Sequence, residues 1–524
     1  MESLLSSIDP HRRRSGSGSG PPWLGPDPPP LTYLPPLDEG DEETAGTPPG
    51  ERADEQPGPG REGRGEPRPS TARKVLVIAS RFPPVASVGA TRVRKFVKYL
   101  PRHGWHPVVI TGAMRQQPIL VGETRRATDL ESLADLPQDV PVHRLSAVVD
   151  NWPGPLAEYL ARQVGRLLSR RPSDVEHLAA TLRWRFQRWH DGLAFPDRGI
   201  WRLLPAVRLA VRLHRRHGFD AIFSSGMPFS DHITGLVLHS LLRLPWLVDF
   251  RDPWVEYIHW EQWHTEWGAR LTRVAEAAVI RRAACVVSVN GHMTRRFAAR
   301  YGDQPTRKFV TIQNGFDPAD FPPEVEPDPG TFRLLYAGSL YKTRSPAAVL
   351  DGFCRFLARH PESRSHARLD FAGRPNQFVE QIASSPAGNA VQYLGMLPHS
   401  AAVREMVRSD VNVIILPNLP GGENDTTTKI YECLGSGRAI LAAVPLGGAA
   451  AEVLRRFDGV RLCDPDDSEG IAAGIADLYE QWRRGRLRVS RSETDLAAFT
   501  REHEARQLAA CLDSATRYRR TRRR

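Results

Sequence analysis

The sequence predicts an α/β protein with two doubly wound domains that face a central cleft, preceded by a disordered N-terminal tail. Strand-length apolar runs alternate with amphipathic helical stretches from residue 73 onward, which is typical of parallel sheets. A chain of 524 residues, 40% of them hydrophobic, is too long for one core and suits two domains. The predicted segments are a tail at 1–72, an N-terminal domain at 73–318, a C-terminal domain at 319–485, a helical segment at 486–515 and a basic tail at 516–524.

The N-terminal segment, residues 1–72, is dense in Pro, Gly, Ser and Glu and has almost no apolar periodicity. Such a segment buries too little apolar surface to offset the entropy of ordering it, so we expect it to be disordered. The chain closes with RYRRTRRR, which we interpret as a solvated basic run. The helical segment before it is a candidate to pack back on the N-terminal domain.

The N-terminal domain begins with a βαβ unit. The strand KVLVIAS, the helical stretch ATRVRKFVKYLPRHG and the strand HPVVITG follow one another directly. The alternation continues through PAVRLAVRLHRRHG and the strands FDAIFSSG, PWLVDF, ACVVSVN and VTIQNG. This pattern predicts a Rossmann-like parallel sheet.

A second series of strands starts at Phe332 and predicts a complete Rossmann-like sheet in the C-terminal domain. Strands are indicated at RLLYAG, RLDFAG, VQYLG, VNVIILP, RAILAAV and GVRLCD, each followed by a helical stretch. Sheets of this kind bind ligands at the carboxyl ends of their strands. Two such domains side by side therefore predict a cleft that holds two substrates.

Composition limits the classes of function. The formal charge of +11 permits anionic partners, but the basic residues are dispersed and no nucleic-acid module is legible, so we expect no nucleic-acid partner. The five cysteines form no CxxC pair, which argues against a disulfide framework or a zinc site and favours a cytoplasmic location. The sequence shows no signal peptide and no apolar run of membrane-spanning length.

The stretch NDTTTKIYECLGSGRAILA predicts a short helix that leads into a buried strand. Asp425 or a threonine caps the helix, and Gly435 ends it. Its free N–H groups and threonine hydroxyls suit an anion such as phosphate. Lys429 and Glu432 share one face, where they form either an exposed salt bridge or part of a site.

The first βα turn, SRFPPVASVGATRVRKF, holds only Gly89 where a dinucleotide-binding turn needs several glycines. This argues against a nicotinamide or flavin enzyme. The FPP…G…R loop, DFRDPW, SVN, QNGFDP, YAGSLYKTRSP, YLGMLPHSAAVREMVRSDVNVIILP and TKIYECLGSGRAIL occur in that order. From about Lys74 to Leu512 the chain thereby resembles the retaining glycosyltransferases of family 4, which have the two-domain GT-B fold.

The resemblance implies a nucleotide-sugar donor held by the C-terminal domain. A glutamate in the position of Glu432 accepts hydrogen bonds from both ribose hydroxyls in that family. The helix start would hold phosphate or sugar oxygens. The further candidates for donor contact are Gly89, Gly338, Thr427, Thr428 and Lys429. For Gly89 two interpretations stay open: a simple turn into a helix, or a missing side chain that lets a sugar or phosphate approach.

Lys342 and Arg344 match basic residues that the family places against the donor diphosphate, so the resemblance implies catalysis without an obligate metal. No DxD-type acidic cluster stands at a suitable strand end, and we expect neither a metal nor another cofactor. The alternative is a solvated loop in which Arg344 pairs with Asp351. The family's earlier glutamate is absent here, and Glu423, Asn424 and Asp425 each remain candidates for its place.

Acceptor-side candidates lie in the N-terminal domain. Asp249, Arg251 and Asp252 follow a strand and either orient an acceptor hydroxyl or brace one another as a buried ion network. His232 follows another strand end and is either an acceptor-side group or structural. The Arg- and Trp-rich stretch from Ala161 to Trp201 suits an anionic membrane surface, although core packing explains its tryptophans equally well.

The sequence therefore predicts a cytoplasmic, peripherally membrane-associated glycosyltransferase for polysaccharide or glycolipid synthesis. Its partners would be a nucleotide-sugar donor and a glycan or lipid-linked acceptor. A GT-B-fold epimerase and a catalytically inactive GT-B scaffold remain the alternatives.

Overall fold

The computed structural model describes six stretches of the chain and a few isolated positions between 159 and 181. The stretches are residues 73–113, 130–146, 194–256, 266–322, 325–419 and 425–523, apart from 86, 342, 375–376, 488 and 490–492. They belong to one compact unit, Arg68–Arg524. The disordered tail predicted at 1–72 and most of the stretch from Ala161 to Trp201 lie outside the described residues.

Two parallel sheets form the framework, which confirms the predicted α/β class. The first sheet contains β1 (Arg73–Ile78), β2 (Trp105–Thr111), β3 (Val142–Arg144), β4 (Ala221–Gly226), β5 (Trp246–Phe250), β6 (Cys285–Ser288) and β7 (Phe309–Thr311) in the order β3-β2-β1-β4-β5-β6-β7. The short strand β3 was not predicted, because three half-buried residues give no readable apolar run.

The second sheet has the six strands that the sequence predicted. They are β8 (Phe332–Ala337), β9 (Ala367–Ala372), β10 (Val391–Gly395), β11 (Val411–Ile415), β12 (Ala439–Ala443) and β13 (Val460–Cys463) in the order β10-β9-β8-β11-β12-β13. In both sheets the strand order reverses beside the first strand, which is where doubly wound sheets place their ligand crevice.

Helices cover both faces of the sheets. Those of the described residues before β8 are α1 (Val88–Tyr99), α2 (Glu131–Ala134), α3 (Leu203–His217), α4 (Ser230–Leu242), α5 (Glu266–Arg282) and α6 (Gly291–Arg300). Those after β8 are α7 (Ala347–Arg359), α8 (Val379–Ala383), α9 (His399–Arg408), α10 (Thr428–Gly435), α11 (Ala449–Leu454), α12 (Ser468–Arg483), α13 (Glu493–Ala497) and α14 (Arg501–Arg523). No helix within the described stretches is long and apolar enough to cross a membrane.

The C-terminal helix α14 lies against α1 on the first sheet. Leu508 and Leu512 of α14 are buried in one cluster with Phe96 of α1 and Val75 of β1. Helices α3 to α6 cover the opposite face of that sheet. The helix also continues past residue 515, the predicted end of the helical segment, because no Gly or Pro interrupts it before Arg523.

A buried arginine on α1 holds in place the linking segment, which is the stretch of chain between β7 and β8 that connects the two sheets. Arg92, only 1% exposed, donates to Asp249 at 3.0 Å and to the backbone oxygen of Ile312 at 2.8 Å. Its Nη1 lies 3.5 Å from Glu504 of α14. Burial lowers the pKa of Arg92, but the charges of Asp249 and Glu504 outweigh burial and raise it.

The same segment pairs with the chain just before α14. The backbone N–H of Phe316 donates to Phe499 at 2.9 Å, and that of Arg501 donates to Phe316 at 2.8 Å. The Arg501 guanidinium reaches Glu504 at 3.1 Å and Asn314 at 3.4 Å. The link between the sheets is therefore held by both backbone and buried side-chain hydrogen bonds.

Replacing Arg92 with Met should lower the free energy of unfolding by about 3–5 kcal/mol, because the buried Asp249 carboxylate loses the cation that pairs with it, while Glu504 keeps Arg501. Urea denaturation of the full chain measures this. The matched control, Arg102→Met, breaks the exposed Arg102–Glu502 pair and should cost at most about 1 kcal/mol. Equal losses in the two variants would contradict the assignment.

Candidate functional site

Helix α10 begins at the carboxyl edge of the second sheet, between β11 and β12. Thr427 occupies the N-cap position, but its side chain accepts no hydrogen bond from the first turn. Thr428 is buried and Asp425, Thr426 and Thr427 are half-buried. No side chain therefore caps the start of this helix, although the N–H of Ile430 donates to the Thr427 backbone oxygen at 3.2 Å. The helix start lies at the edge where parallel sheets bind their ligands.

Lys429 and Glu432 do not form the salt bridge that their spacing allows. Among the described residues, neither has an ion-pair or hydrogen-bond partner for its charged group. Glu432 is half-buried, and its charge acts on His399 at the start of α9. The pKa of His399 is raised, first by its hydrogen bond to Asp320 and further by Glu432.

Gly338, at the end of β8, allows the Lys429 side chain to lie against the sheet. A Cβ at residue 338 would stand 2.5 Å from Lys429 Cε and 3.0 Å from the Tyr336 hydroxyl. Any larger residue would push the lysine away. The structure thus brings together two of the predicted donor-site residues and places beside them Tyr336, the first residue of the YAGSLYKTRSP motif, for which no role was predicted.

Arg344 is the second cation at this edge. It is 9% exposed, and its guanidinium carbon lies 5.0 Å from the centroid of the Tyr341 ring. Its Nε has no acceptor among the described residues, and no described carboxylate lies within ion-pair distance. The alternative partner, Asp351, instead binds Arg355 at 2.9 Å.

Arg344 and Lys429 both lie near the Tyr336 side chain. Burial raises the pKa of the Tyr336 hydroxyl to about 12, and the positive charge of Arg344 opposes this shift. Lys342, the other predicted diphosphate residue, lies outside the described residues, as do Glu423 and Asn424. Of the three candidates for the family's earlier glutamate, the structure describes only Asp425.

Tyr341 lies where the two domains meet. Burial raises the pKa of its hydroxyl, Arg344 lowers it, and the charges of Asp425 and Asp252 raise it further. Asp252 follows β5 of the first sheet, whereas Asp425 precedes α10 of the second. The charges of one carboxylate from each domain therefore act on the Tyr341 hydroxyl.

Three polar contacts also cross between the domains. Asn290, the N-cap of α6, donates from Nδ2 to the Thr426 hydroxyl at 3.3 Å. Farther along the same helix, His292 lies 3.1 Å and Arg295 3.3 Å from Glu452 of α11. The sequence motif SVN contained Asn290, but only the tertiary structure pairs it with a threonine of the NDTTTK stretch.

Asp249 and Arg251, the other charged groups of DFRDPW, bind other residues of the first domain. Asp249 is fully buried and pairs with Arg92, not with Arg251, and it accepts from the Ser225 hydroxyl at 2.7 Å. Arg251 donates to the backbone oxygens of Gly226 and Met227. The ion-network interpretation is therefore correct for Asp249, but its partner comes from α1.

The space beside Gly89 is filled by a side chain of the protein itself. A Cβ at this position would stand 1.5 Å from Arg251 Nη1, so the missing side chain makes room for the Arg251 guanidinium. In this conformation that space is not open to a sugar or phosphate. Donor contact at Gly89 stays a prediction, and it would require the Arg251 guanidinium to move away from this face.

His232 is completely buried and does not reach the cleft surface in this structure. Its Nδ1 lies 2.9 Å from the Ser224 hydroxyl, and its ring packs 4.7 Å from that of Phe250. Burial lowers the pKa of His232 to about 3, so the imidazole is neutral near pH 7. Its Nε2 has no partner among the described residues and points toward Gly226.

One group of described carboxylates is close enough to share a metal ion: Asp135, Asp317 and Asp320. The Lys95 ammonium already lies within hydrogen-bond distance of all three, at 2.6 Å from Asp317 and 2.8 Å from the other two. Lys98 adds a second cation. These three carboxylates therefore form ion pairs with the ammonium groups of Lys95 and Lys98.

Comparison with known proteins identifies the fold. No protein-family model and no curated protein sequence matches the chain. A sucrose-phosphate synthase from Thermosynechococcus elongatus is 16% identical, with a TM-score of 0.52 over 86% of this chain and 99% of that one. A glycosyltransferase from Rickettsia africae is 13% identical, with a TM-score of 0.52 over 84% and 98%.

An α,α-trehalose 6-phosphate synthase from Burkholderia multivorans is 12% identical, with a TM-score of 0.50 over 85% of this chain and 99% of that one. At these identities the similarity concerns the fold. The two-domain arrangement is that of GT-B glycosyltransferases, as the sequence motifs predicted.

Because His232 stays neutral when folded, the protein should lose stability as the pH falls from about 6.5 toward 3. In that window the unfolded chain binds a proton that the folded chain does not, which contributes a slope of up to about 1.4 kcal/mol per pH unit. His232→Gln removes this contribution. Urea denaturation across the pH range should give a flatter profile for the variant; parallel profiles would contradict a neutral, buried imidazole.

Proposed function

We propose that the chain is a retaining glycosyltransferase, similar to family 4, that transfers a sugar from a nucleoside diphosphate sugar to an acceptor hydroxyl. One observation carries the proposal. Arg344 and Lys429 converge beside Gly338 at the start of α10, and neither has a carboxylate partner among the described residues.

A buried guanidinium without an anion is costly, so its partner is expected to be a ligand. Arg344 is more than nine-tenths buried and still has an unsatisfied Nε. The start of α10, which no side chain caps, adds the positive end of the helix dipole at the same edge. A diphosphate has the charge and the number of acceptor oxygens that this arrangement leaves unmatched.

Glu432 extends the site by one helical turn. Its carboxylate has no donor among the described residues, and two carboxylate oxygens can accept from the two hydroxyls of a ribose at once. A nucleoside diphosphate would therefore place its ribose at Glu432 and its phosphates at Lys429 and Arg344. Thr427 and Thr428 would contribute at the helix start.

The acceptor would approach from the first domain, where Asp252 faces Tyr341. We expect front-face displacement, in which the leaving diphosphate helps to take the acceptor proton while Lys342, Arg344 and the start of α10 stabilise its charge. His232 is completely buried, so we expect it to position neighbouring groups without contacting the acceptor. The cations take the role that a metal has in other transferases.

The comparisons support this proposal at the level of reaction type. Two of the similar structures are named as synthases of sucrose phosphate and trehalose 6-phosphate, and a third as a glycosyltransferase. A reducing cytoplasm fits the five free cysteines.

Calorimetric titration of the full chain with UDP-, GDP-, ADP- and dTDP-sugars tests the donor site. One nucleotide class should bind. Arg344→Met should weaken the nucleoside diphosphate by about 10- to 100-fold, the cost of a lost charged hydrogen bond, and leave the nucleoside nearly unaffected. Glu432→Gln should weaken both ligands.

Matched controls are Arg364→Met and Glu380→Gln, which change exposed residues of the second domain away from α10. They should retain wild-type affinity. A folded protein that binds none of the sugar nucleotides would refute the proposal. Conversion of a bound sugar nucleotide to its epimer without an acceptor would instead identify an epimerase.

A further inference from the structure

Three helices on one face of the first sheet expose a surface that the proposed reaction does not use. Helix α4 packs between α3 and α5, and the inner sides of all three helices bury residues against the sheet. We define the docking face as the outward side of these helices. It combines exposed apolar side chains with arginines.

The apolar part follows a helical stripe on α5. Trp267 is 78% exposed, Leu271 47% and Val274 66%, and their spacing places them on one side of the helix. Leu204, at the start of α3, is 56% exposed. Single exposed apolar residues are ordinary, but a stripe containing a tryptophan marks an interaction surface.

The charged part is almost entirely positive. The exposed arginines are Arg208, Arg212, Arg215 and Arg216 on α3, Arg243 just after α4, and Arg270, Arg273, Arg281 and Arg282 on α5. Glu266 is the one exposed acid of these helices, since Asp231 and Glu276 are buried. Only Arg270 and Arg281 have an acidic partner among the described residues, Glu266 and Asp303 respectively.

We propose that this docking face binds an anionic lipid surface. Tryptophan and aliphatic side chains enter the headgroup boundary, while arginines reach lipid phosphates with their apolar stems against the interface. Nucleic acid would use the arginines but would leave Leu271 and Val274 in water. A second copy of this chain would bring the same positive charge against itself.

The orientation follows from the topology. Helices α3 and α5 each lead into a parallel strand, so both begin at the carboxyl edge of the sheet, which is the edge of the cleft. Leu204, Trp267 and Leu271 therefore lie toward the cleft side of the docking face. A docked molecule would hold its cleft beside the lipid surface, where an acceptor attached to lipid could enter.

Flotation of the full chain with vesicles tests the docking face. One set contains phosphatidylcholine alone and the other phosphatidylcholine mixed with phosphatidylglycerol. Binding should require the anionic lipid and should weaken with salt. Arg208→Glu with Arg212→Glu should lower the apparent affinity at least about 10-fold, given about fivefold per basic residue at such a surface. Trp267→Ser with Leu271→Ser should lower it by at least about 10-fold as well, because both side chains that enter the headgroup boundary are lost.

Matched double variants on the second domain serve as controls. Met396→Ser with Leu446→Ser removes two other exposed apolar residues, which are 51% and 41% exposed, and Arg364→Glu with Arg404→Glu changes the net charge by the same amount as the docking-face variant. Both should stay within about twofold of wild type. Circular dichroism of every variant establishes that it is folded.

Absence of binding to anionic vesicles, or an equal loss in control and docking-face variants, would overturn the proposal. A dimer in analytical ultracentrifugation that Trp267→Ser dissociates would assign the face to a second copy instead. Vesicle binding does not depend on sugar transfer, so failure of this proposal and failure of the donor-site proposal are distinguishable by the nucleotide titration.

Discussion

The arrangement of the two domains depends on buried charge in the segment that links them. Arg92 satisfies its guanidinium with Asp249 of the first sheet, the backbone of the linking segment and Glu504 of the C-terminal helix. A buried ion pair contributes little net stability, but an unpaired one is costly. The pairing therefore specifies where the link and the C-terminal helix lie more than it strengthens the fold.

The donor edge of the second domain shows the opposite pattern. Around Arg92 and Lys95 every cation has carboxylates within about 3.5 Å, the usual requirement for burying charge. At Arg344, Lys429 and Glu432 no described partner compensates the charge. This difference is the physical basis for the charged ligand that we propose at the second set of residues.

The topology of the first sheet places the docking face next to the cleft. Every helix that crosses between parallel strands starts at the carboxyl edge, so the same rule that assembles the site also brings the starts of α3 and α5 beside it. An exposed apolar stripe at Trp267 and Leu271 is unfavourable in water. In the orientation that we propose, this stripe would hold the cleft beside the lipid surface.

The sequence determined the parts of this protein that depend on local pattern. All six strands of the second sheet were legible because each is a buried apolar run between turns, and the motifs at strand ends indicated the GT-B fold. Only the tertiary structure decided which charges meet. Asp249 and Arg251 are near neighbours in sequence, yet Asp249 pairs with Arg92 and Arg251 fills the space at Gly89. Lys429 and Glu432 have the spacing of a salt bridge but remain unpaired, because partners in a folded chain are set by burial and long-range packing, which spacing along one helix does not encode.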